Sequence, residues 1–151
     1  VVSQDMKDNI TRQEFCELAV NLYKRLSNDS ELIVPEVSPF EDTDNLAVSQ
    51  AYCYGIVSGT DNGFFTPDRL VTREEMAKML VKALGKTEER GTAGFSDEAQ
   101  ISPWARGYVQ TASALGLIQG YEDNSFCPQN GLKRVEAMVV VYRLLTALQA
   151  G

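Results

Sequence analysis

The sequence predicts an all-α domain of approximate threefold symmetry, with three long core helices joined through shorter helices and glycine-rich loops. Two observations carry that prediction. A short phrase recurs at a fixed interval of 61 residues, as Thr11-Arg12-Gln13-Glu14, Thr72-Arg73-Glu74-Glu75 and Lys133-Arg134-Val135-Glu136. A constant long period is the mark of an array of similar supersecondary units. After each phrase comes an apolar stripe at helical spacing. Phe15, Leu18, Ala19, Leu22 and Leu26 set the pattern; Met76, Met79, Leu80 and Ala83 repeat it, as do Ala137, Val140, Val141 and Leu144. Three equivalent helices, each burying one stripe, make a three-helix core.

The Thr-x-x-Glu of the first two phrases is a capping box, in which hydroxyl and carboxylate each satisfy an orphan backbone donor. Lys133 has no hydroxyl, so the third helix is expected to start differently or to fray. Ser27-Asn28-Asp29 and Gly85 supply stop signals for the first two. A second block repeats upstream of the second and third long helices. Tyr54-Gly55-Ile56-Val57-Ser58-Gly59 returns as Leu115-Gly116-Leu117-Ile118-Gln119-Gly120, and Phe65 and Pro67 return as Phe126 and Pro128. Each block reads as a helix C-cap followed by a turn-rich loop.

Shorter helices are expected ahead of these blocks, over 46–54 and 103–115, introduced by Phe40-Glu41-Asp42 and Phe95-Ser96-Asp97. The first copy lacks such a helix, with Val1-Val2-Ser3 standing where Ile56-Val57-Ser58 stands in the second. The expected organisation is one domain over 1–151, with a partial repeat at 1–30 and full repeats at 40–85 and 95–149. Linkers run over 29–38 and 86–94, and the abrupt start at Val1 reads as the edge of a fragment.

Composition narrows the function. A 44% hydrophobic and 23% charged chain of 151 residues is an ordinary globular protein. Net charge of −7 argues against a nucleic-acid surface, which needs clustered Lys and Arg. The absence of histidine removes the commonest general base and metal ligand. Cys16, Cys53 and Cys127 form no metal or redox motif, and Cys16 and Cys53 sit in apolar helical patterns expected to bury them. Asp61-Asn62-Gly63 lacks the alternating oxygens and distal Glu of a calcium loop. No cofactor or metal is expected. No apolar run approaches membrane-spanning length, so no membrane insertion is expected either. The 21 acidic residues make chance carboxylate pairs easy, yet no nucleophile, base and orienter stand together, and no enzyme is expected.

The order Phe-x-Asp, short helix, Gly-Ile-Val-x-Gly, a loop ending in Phe-x-Pro, then Thr-Arg-x-Glu opening a long helix resembles the S-layer homology (SLH) repeat. Residues 40–84 and 95–145 match it along nearly their whole length, and 11–26 match the tail of a preceding copy. The resemblance implies a pseudo-trimeric helical domain outside the cell, at the wall of a Gram-positive bacterium. It implies noncovalent attachment to secondary cell-wall polysaccharide, often through anionic pyruvate ketals. It places binding grooves between neighbouring repeats, using the arginine of the phrase with loop glycines. This sequence departs in Lys133, in carrying Trp104-Ala105 only in the third repeat, and in its abbreviated first repeat. The groove between the second and third repeats is expected to be the most complete.

The candidate ligand-binding residues are Arg12, Arg73, Arg134, Asp42, Asp97, Gly59, Gly120 and Trp104. A cation in the first helical turn opposes the macrodipole at ~0.3–1 kcal/mol, so three arginines so placed each call for an anion partner. An internal carboxylate, Asp42 or Asp97, is one candidate; an external carboxylate held by the guanidinium fork is the other. The resemblance tips Arg73 and Arg134 toward ligand, and their loss is expected to weaken polymer binding without unfolding. Gly59 and Gly120 either line a sugar or end a helix in the left-handed region. Trp104 either stacks on a sugar or joins the core, while Phe40, Phe65, Phe95 and Phe126 are packing residues. An acidic protein on an acidic polymer has to rely on local arginines, giving pocket-like binding of moderate salt sensitivity. The alternative is a set of degenerate repeats serving a structural or protein-interaction role. An abbreviated first repeat would leave one core face uncovered, which admits self-association.

Overall fold

Capping chemistry sets where the long helices begin. In the computed structural model, which describes residues 8–28, 31–60, 62–86 and 93–150 (side chains through Thr146), α1 spans Arg12–Ser27. Thr11 Oγ1 accepts from the Glu14 N–H and the Glu14 carboxylate accepts from the Thr11 N–H, both at 3.1 Å. Thr72 and Glu75 open the second long helix, Arg73–Ala83, in the same way. Between them lies the short helix α2, Leu46–Cys53, capped by the Asn45 side chain, so Arg73–Ala83 is α3. Then come α4, Pro103–Ala114, and α5, Arg134–Ala150.

As Lys133 implied, α5 starts without the hydroxyl half of the box, yet in the same register as α1 and α3. Half of the box survives, because Glu136 accepts from the Lys133 N–H at 3.1 Å. The neighbouring chain pins the rest: Ile10 N–H donates to the Leu132 carbonyl at 2.7 Å and Arg134 N–H to the Asp8 carbonyl at 2.9 Å. Asn28, at φ 56°, ends α1, and Gly85, at φ +70°, follows α3. The short helices end on Gly55 and Gly116, at φ 75° and 74°. Gly59 and Gly120 are therefore not the helix-ending left-handed residues. A Cβ on Gly59 would lie 2.9 Å from both Phe40 Cε1 and the Phe64 carbonyl, and one on Gly120 would lie 2.8 Å from Phe95 Cε1. Glycine stands there because an aromatic ring and a loop carbonyl press on the backbone.

Backbone bonds close the array into a ring. Arg12 N–H donates to the Arg69 carbonyl, Arg73 N–H to the Asn130 carbonyl, and Arg134 N–H to the Asp8 carbonyl, at 2.8–2.9 Å. Donor and acceptor advance together by 61 residues, and the last bond returns to the start of the chain. These contacts appear as isolated bridges, Thr11 with Leu70, Thr72 with Gly131 and Asn9 with Lys133; among the described residues there is no strand. The all-α class follows.

A single hydrophobic cluster runs from Ile10 to Leu144. At equivalent positions Phe15, Met76 and Ala137 are all buried, so large, medium and small side chains share the space on the axis. Outside this core α2 packs on α1, and α4 on α3. Each is backed by a phenylalanine pair, Phe40 with Phe65 and Phe95 with Phe126, ring centroids 5.2 Å apart. No described helix covers the same face of α5. Cys16 and Ala77 are 0% exposed but their equivalent Met138 is 46%; Val20 and Val81 are 4% and 0% but Tyr142 is 71%. The Val1-Val2-Ser3 match, Asp29, Asp61 and most of the second linker lie outside the described residues.

The two helical cysteines differ. Cys16 is buried, its Sγ 3.8 Å from the Ala47 carbonyl, and burial pushes its thiol up to about 12. Cys53 is exposed, at the last turn of α2 rather than in its core face, which corrects the expectation from periodicity.

Candidate binding clefts between the long helices

The arginine of each phrase reaches the capping-box glutamate of the next. Arg12 Nη1 bonds Glu75 Oε2, Arg73 Nη1 lies 3.9 Å from Glu136 Oε2, and Arg134 grips Glu14 through Nε and Nη2, both at 2.9 Å. The third pair wraps from the last phrase to the first. Each glutamate thus serves two ends, holding its own helix start and neutralising a neighbour's arginine. Burial works against charge on Glu75, but Arg12 and Arg69 outweigh it and hold the carboxyl below its usual range. Glu14 is held low in the same sense, burial being outweighed by the Thr11 N–H and Arg134. Burial pushes Arg12 down from its ordinary value, against the pull of Glu75.

The internal partners are therefore glutamates, and the expectation that Asp42 or Asp97 would fill this role is corrected. Both aspartates are spent on loop backbone. Asp42 accepts from the Phe65 and Thr66 N–H groups at 2.8 Å, and Asp97 from those of Phe126 and Cys127 at 2.9 and 2.8 Å. These bonds hold Thr66 and Cys127 at φ 55° and 57°, a region that favours glycine. The Phe65 N–H is the main reason the Asp42 carboxyl lies below its usual range.

Arg12 and Arg73 are buried, each with Nε on a loop carbonyl: Phe65 at 3.0 Å and Phe126 at 2.7 Å. Their guanidinium carbons sit 4.6 and 4.8 Å from the centres of those same rings, and Arg73 also lies 4.8 Å from Tyr121. Arg134 is more open, with 28% of its side chain exposed.

Two clefts lie over these arginines, related by the 61-residue step. Cleft I, of about 370 Å³, is lined by Arg12, Gly59, Glu75, Lys78, Met79 and Trp104. Cleft II, of about 300 Å³, has Arg73, Gly120, Tyr121, Glu136, Val139 and Arg143. Both are within the size range of small-molecule sites. Five of the eight candidate residues thus line a cleft, Arg12, Gly59 and Trp104 in cleft I and Arg73 and Gly120 in cleft II, while Asp42, Asp97 and Arg134 line neither.

Cleft I draws on all three copies, through Arg12, the loop and helix after Ile56, and Trp104 of α4. Trp104 is 46% exposed, so it is a wall of this cleft rather than core. The second-to-third junction is thus the poorer of the two, because α5 has no covering helix among the described residues to supply an equivalent tryptophan. Lys78, Lys82, Tyr108 and Tyr121 were missed by motif reading. Comparing residues at the 61-residue step would have flagged the first, since Glu17, Lys78 and Val139 differ in kind at one position. Glu74 was also missed: buried, it accepts from the Ser102 N–H at 2.9 Å and hydroxyl at 2.7 Å, capping α4 from α3.

A ring of helical repeats, closed by one arginine–glutamate motif and bearing clefts at the junctions, defines a repeat-built all-α module. The model of the S-layer homology domain matches residues 39–77 and 94–138, more than half of the chain, and the chain belongs to that family. It is 34% identical over 143 residues to an amylopullulanase of Thermoanaerobacterium thermosulfurigenes, a match covering 90% of this chain and 8% of the enzyme. It is 32% identical over 148 residues to a cellulosome-anchoring protein of Acetivibrio thermocellus, covering 92% of this chain and 32% of that protein. A surface layer protein of Brevibacillus choshinensis is 33% identical over 101 residues, 65% of this chain and 9% of its own length. The chain therefore spans a minor part of each of these relatives. Among the described residues no helix is long and apolar enough to cross a membrane.

Proposed function

We propose that this chain is a non-catalytic anchoring module that holds the polypeptide carrying it at the outer surface of a bacterium by binding anionic cell-wall polysaccharide in clefts I and II. The observation that carries the reading is the pair of ligand-sized clefts at one sequence step, each with a buried arginine at its base and a glycine backbone in its wall. The names of the relatives agree with it. One is a cellulosome-anchoring protein and one a surface layer protein, and the enzyme among them is matched over only 8% of its length. On this reading 1–151 acts as one domain with a partial repeat at 1–30 and repeats at 40–85 and 95–149. Arg12, Arg73, Gly59, Gly120 and Trp104 shape the clefts, and Asp42 and Asp97 keep the loops in place for them.

Co-sedimentation with purified Gram-positive walls, before and after acid removal of the secondary polysaccharide, tests this. Retention on intact walls that disappears on stripped walls is the expected result. Equal retention on both, or none on either, overturns it. A second reading, a protein-interaction role with self-association, is favoured by the uncovered apolar face of α5 at Met138 and Tyr142. Sedimentation velocity at increasing concentration separates the two, since a glycan anchor need not change mass.

A further inference from the structure

The first turn of α4 is held from outside its own sequence. In α1, α3 and α5 the N–H of the residue before the helix is met by a glutamate three places on, Glu14, Glu75 and Glu136. After Ser102 that place is taken by Ala105, and among the described residues the Ser102 side chain makes no capping bond to its own helix. The glutamate comes instead from α3. Glu74 is 5% exposed, and its carboxylate accepts from the Ser102 N–H at 2.9 Å and from the Ser102 hydroxyl at 2.7 Å. A negative charge there also complements the positive end of the α4 dipole. The equivalents of Glu74 do other things. Gln13 bonds Glu17 on the exposed side of α1, and Val135 lines cleft II, while α2 is capped locally by Asn45.

Trp104 stands two residues beyond Ser102 and walls cleft I with 46% of its surface exposed. Packing on one side leaves such a ring free to shift unless its backbone is held. Two bonds from one carboxylate to one residue fix direction as well as distance. One turn further along α3, the Lys78 ammonium lies 5.5 Å from the Trp104 ring centre, so α3 meets the first turn of α4 at two points. We infer that Glu74 is a positioning residue: it sets the place of the Trp104 ring in cleft I, and through it the fit of a sugar there, without touching the sugar. The inference rests on the clefts being glycan sites. A wall that receives a rigid ring has to be held to about 0.5 Å, which calls for support behind it. Glu74 is buried and outside the lining of cleft I, so it acts through α4. Cleft II is built otherwise, with Val135 at the equivalent position and its aromatic member, Tyr121, on a loop.

Trp104 is the only tryptophan in the chain, so its fluorescence reports on this wall alone. The test compares the whole chain with four variants by two readouts: acrylamide quenching of the tryptophan without ligand, and calorimetric titration with the secondary polysaccharide released from walls by acid. Glu74→Val loses both bonds. It is expected to be quenched more strongly and to bind about tenfold more weakly, the scale of one hydrogen bond to a charged group. Glu74→Gln keeps an acceptor for the N–H and offers a donor to the hydroxyl oxygen, so it should match the wild type in both readouts. Ser102→Ala loses the hydroxyl alone and should move both readouts the same way by less. Asn45→Ala removes a cap from α2 and should melt earlier with both readouts unchanged. Quenching of Glu74→Val equal to the wild type, or raised as much in Asn45→Ala, overturns the inference. So does stronger quenching with unchanged affinity, and in each case the glycan reading stands. Failure of the wild type to bind overturns the glycan reading and the binding half of the inference, while quenching still decides whether Glu74 places the ring.

Discussion

Arg12 and Arg134 occupy the same place in the phrase but differ in what their removal exposes. Arg12 is buried against the Phe65 ring and carbonyl, and the Glu75 side chain it pairs with is only 14% exposed. Truncating Arg12 leaves Glu75 with Arg69 alone and strips the Phe65 carbonyl of its buried donor, which together cost about 3 kcal/mol. Arg134 and Glu14 are 28% and 36% exposed, and solvent takes over much of a lost pair. Urea denaturation should therefore show Arg12→Ala destabilised by about 3 kcal/mol and Arg134→Ala by about 1 kcal/mol or less. Equal losses would mean that the buried setting contributes nothing. Arg73 resembles Arg12 in burial and in its carbonyl contact, so its alanine variant is expected to lose stability as well as any ligand.

Helix starts are the elements most legible in the sequence, since a capping box is a local device. Thr72 with Glu75 fixes α3 within four residues, and nothing distant is needed to recognise it. Lys133 shows the limit of local reasoning. Its phrase has lost the hydroxyl, yet α5 begins at the equivalent residue because Asp8, Ile10 and Leu132 hold the preceding backbone. Restoring the hydroxyl should then add to a start that already exists. Lys133→Thr is expected to raise stability by about 1 kcal/mol, and Thr72→Ala to lower it by a similar amount. Thermal melts of the two variants check this, and a destabilised Lys133→Thr would show that the lysine has a role of its own. The covering helices were legible in extent, from 46 and 103 onward. What was not legible is that Glu74 caps α4 across the interface, because the residues concerned are 28 apart.

At the scale of the whole molecule the carboxylates tie stability to pH. Glu14, Glu75 and Asp42 are all held below their ordinary values by N–H groups and arginines that outweigh burial. Below the ordinary glutamate value of 4.5 the unfolded chain takes up protons that the folded chain still refuses. Stability contributed by these groups is thus fully present above about pH 5 and drains away as the pH falls toward their folded-state values. Urea midpoints measured from pH 7 down to pH 3 should be level at first and then decline. A midpoint that holds steady to pH 3 would show that the arginine–glutamate ring adds nothing to the folded state.

The sequence by itself determined the repeat, its 61-residue step, the all-α class, the capping boxes and the apolar stripes, because each is a pattern of neighbours along the chain. It also brought the arginines to notice, through a charge set against its own helix dipole. Only the tertiary structure decided their partners. An arginine in one copy reaches a glutamate 63 residues away, and in the last pair 120 residues back, across a ring whose closure no local pattern states. The same closure puts Trp104 of α4 beside Arg12 of α1 and Lys78 of α3, and leaves Met138 and Tyr142 of α5 in the open. Which face of a repeated helix is covered depends on what its neighbour brings to it, and that is a property of packing.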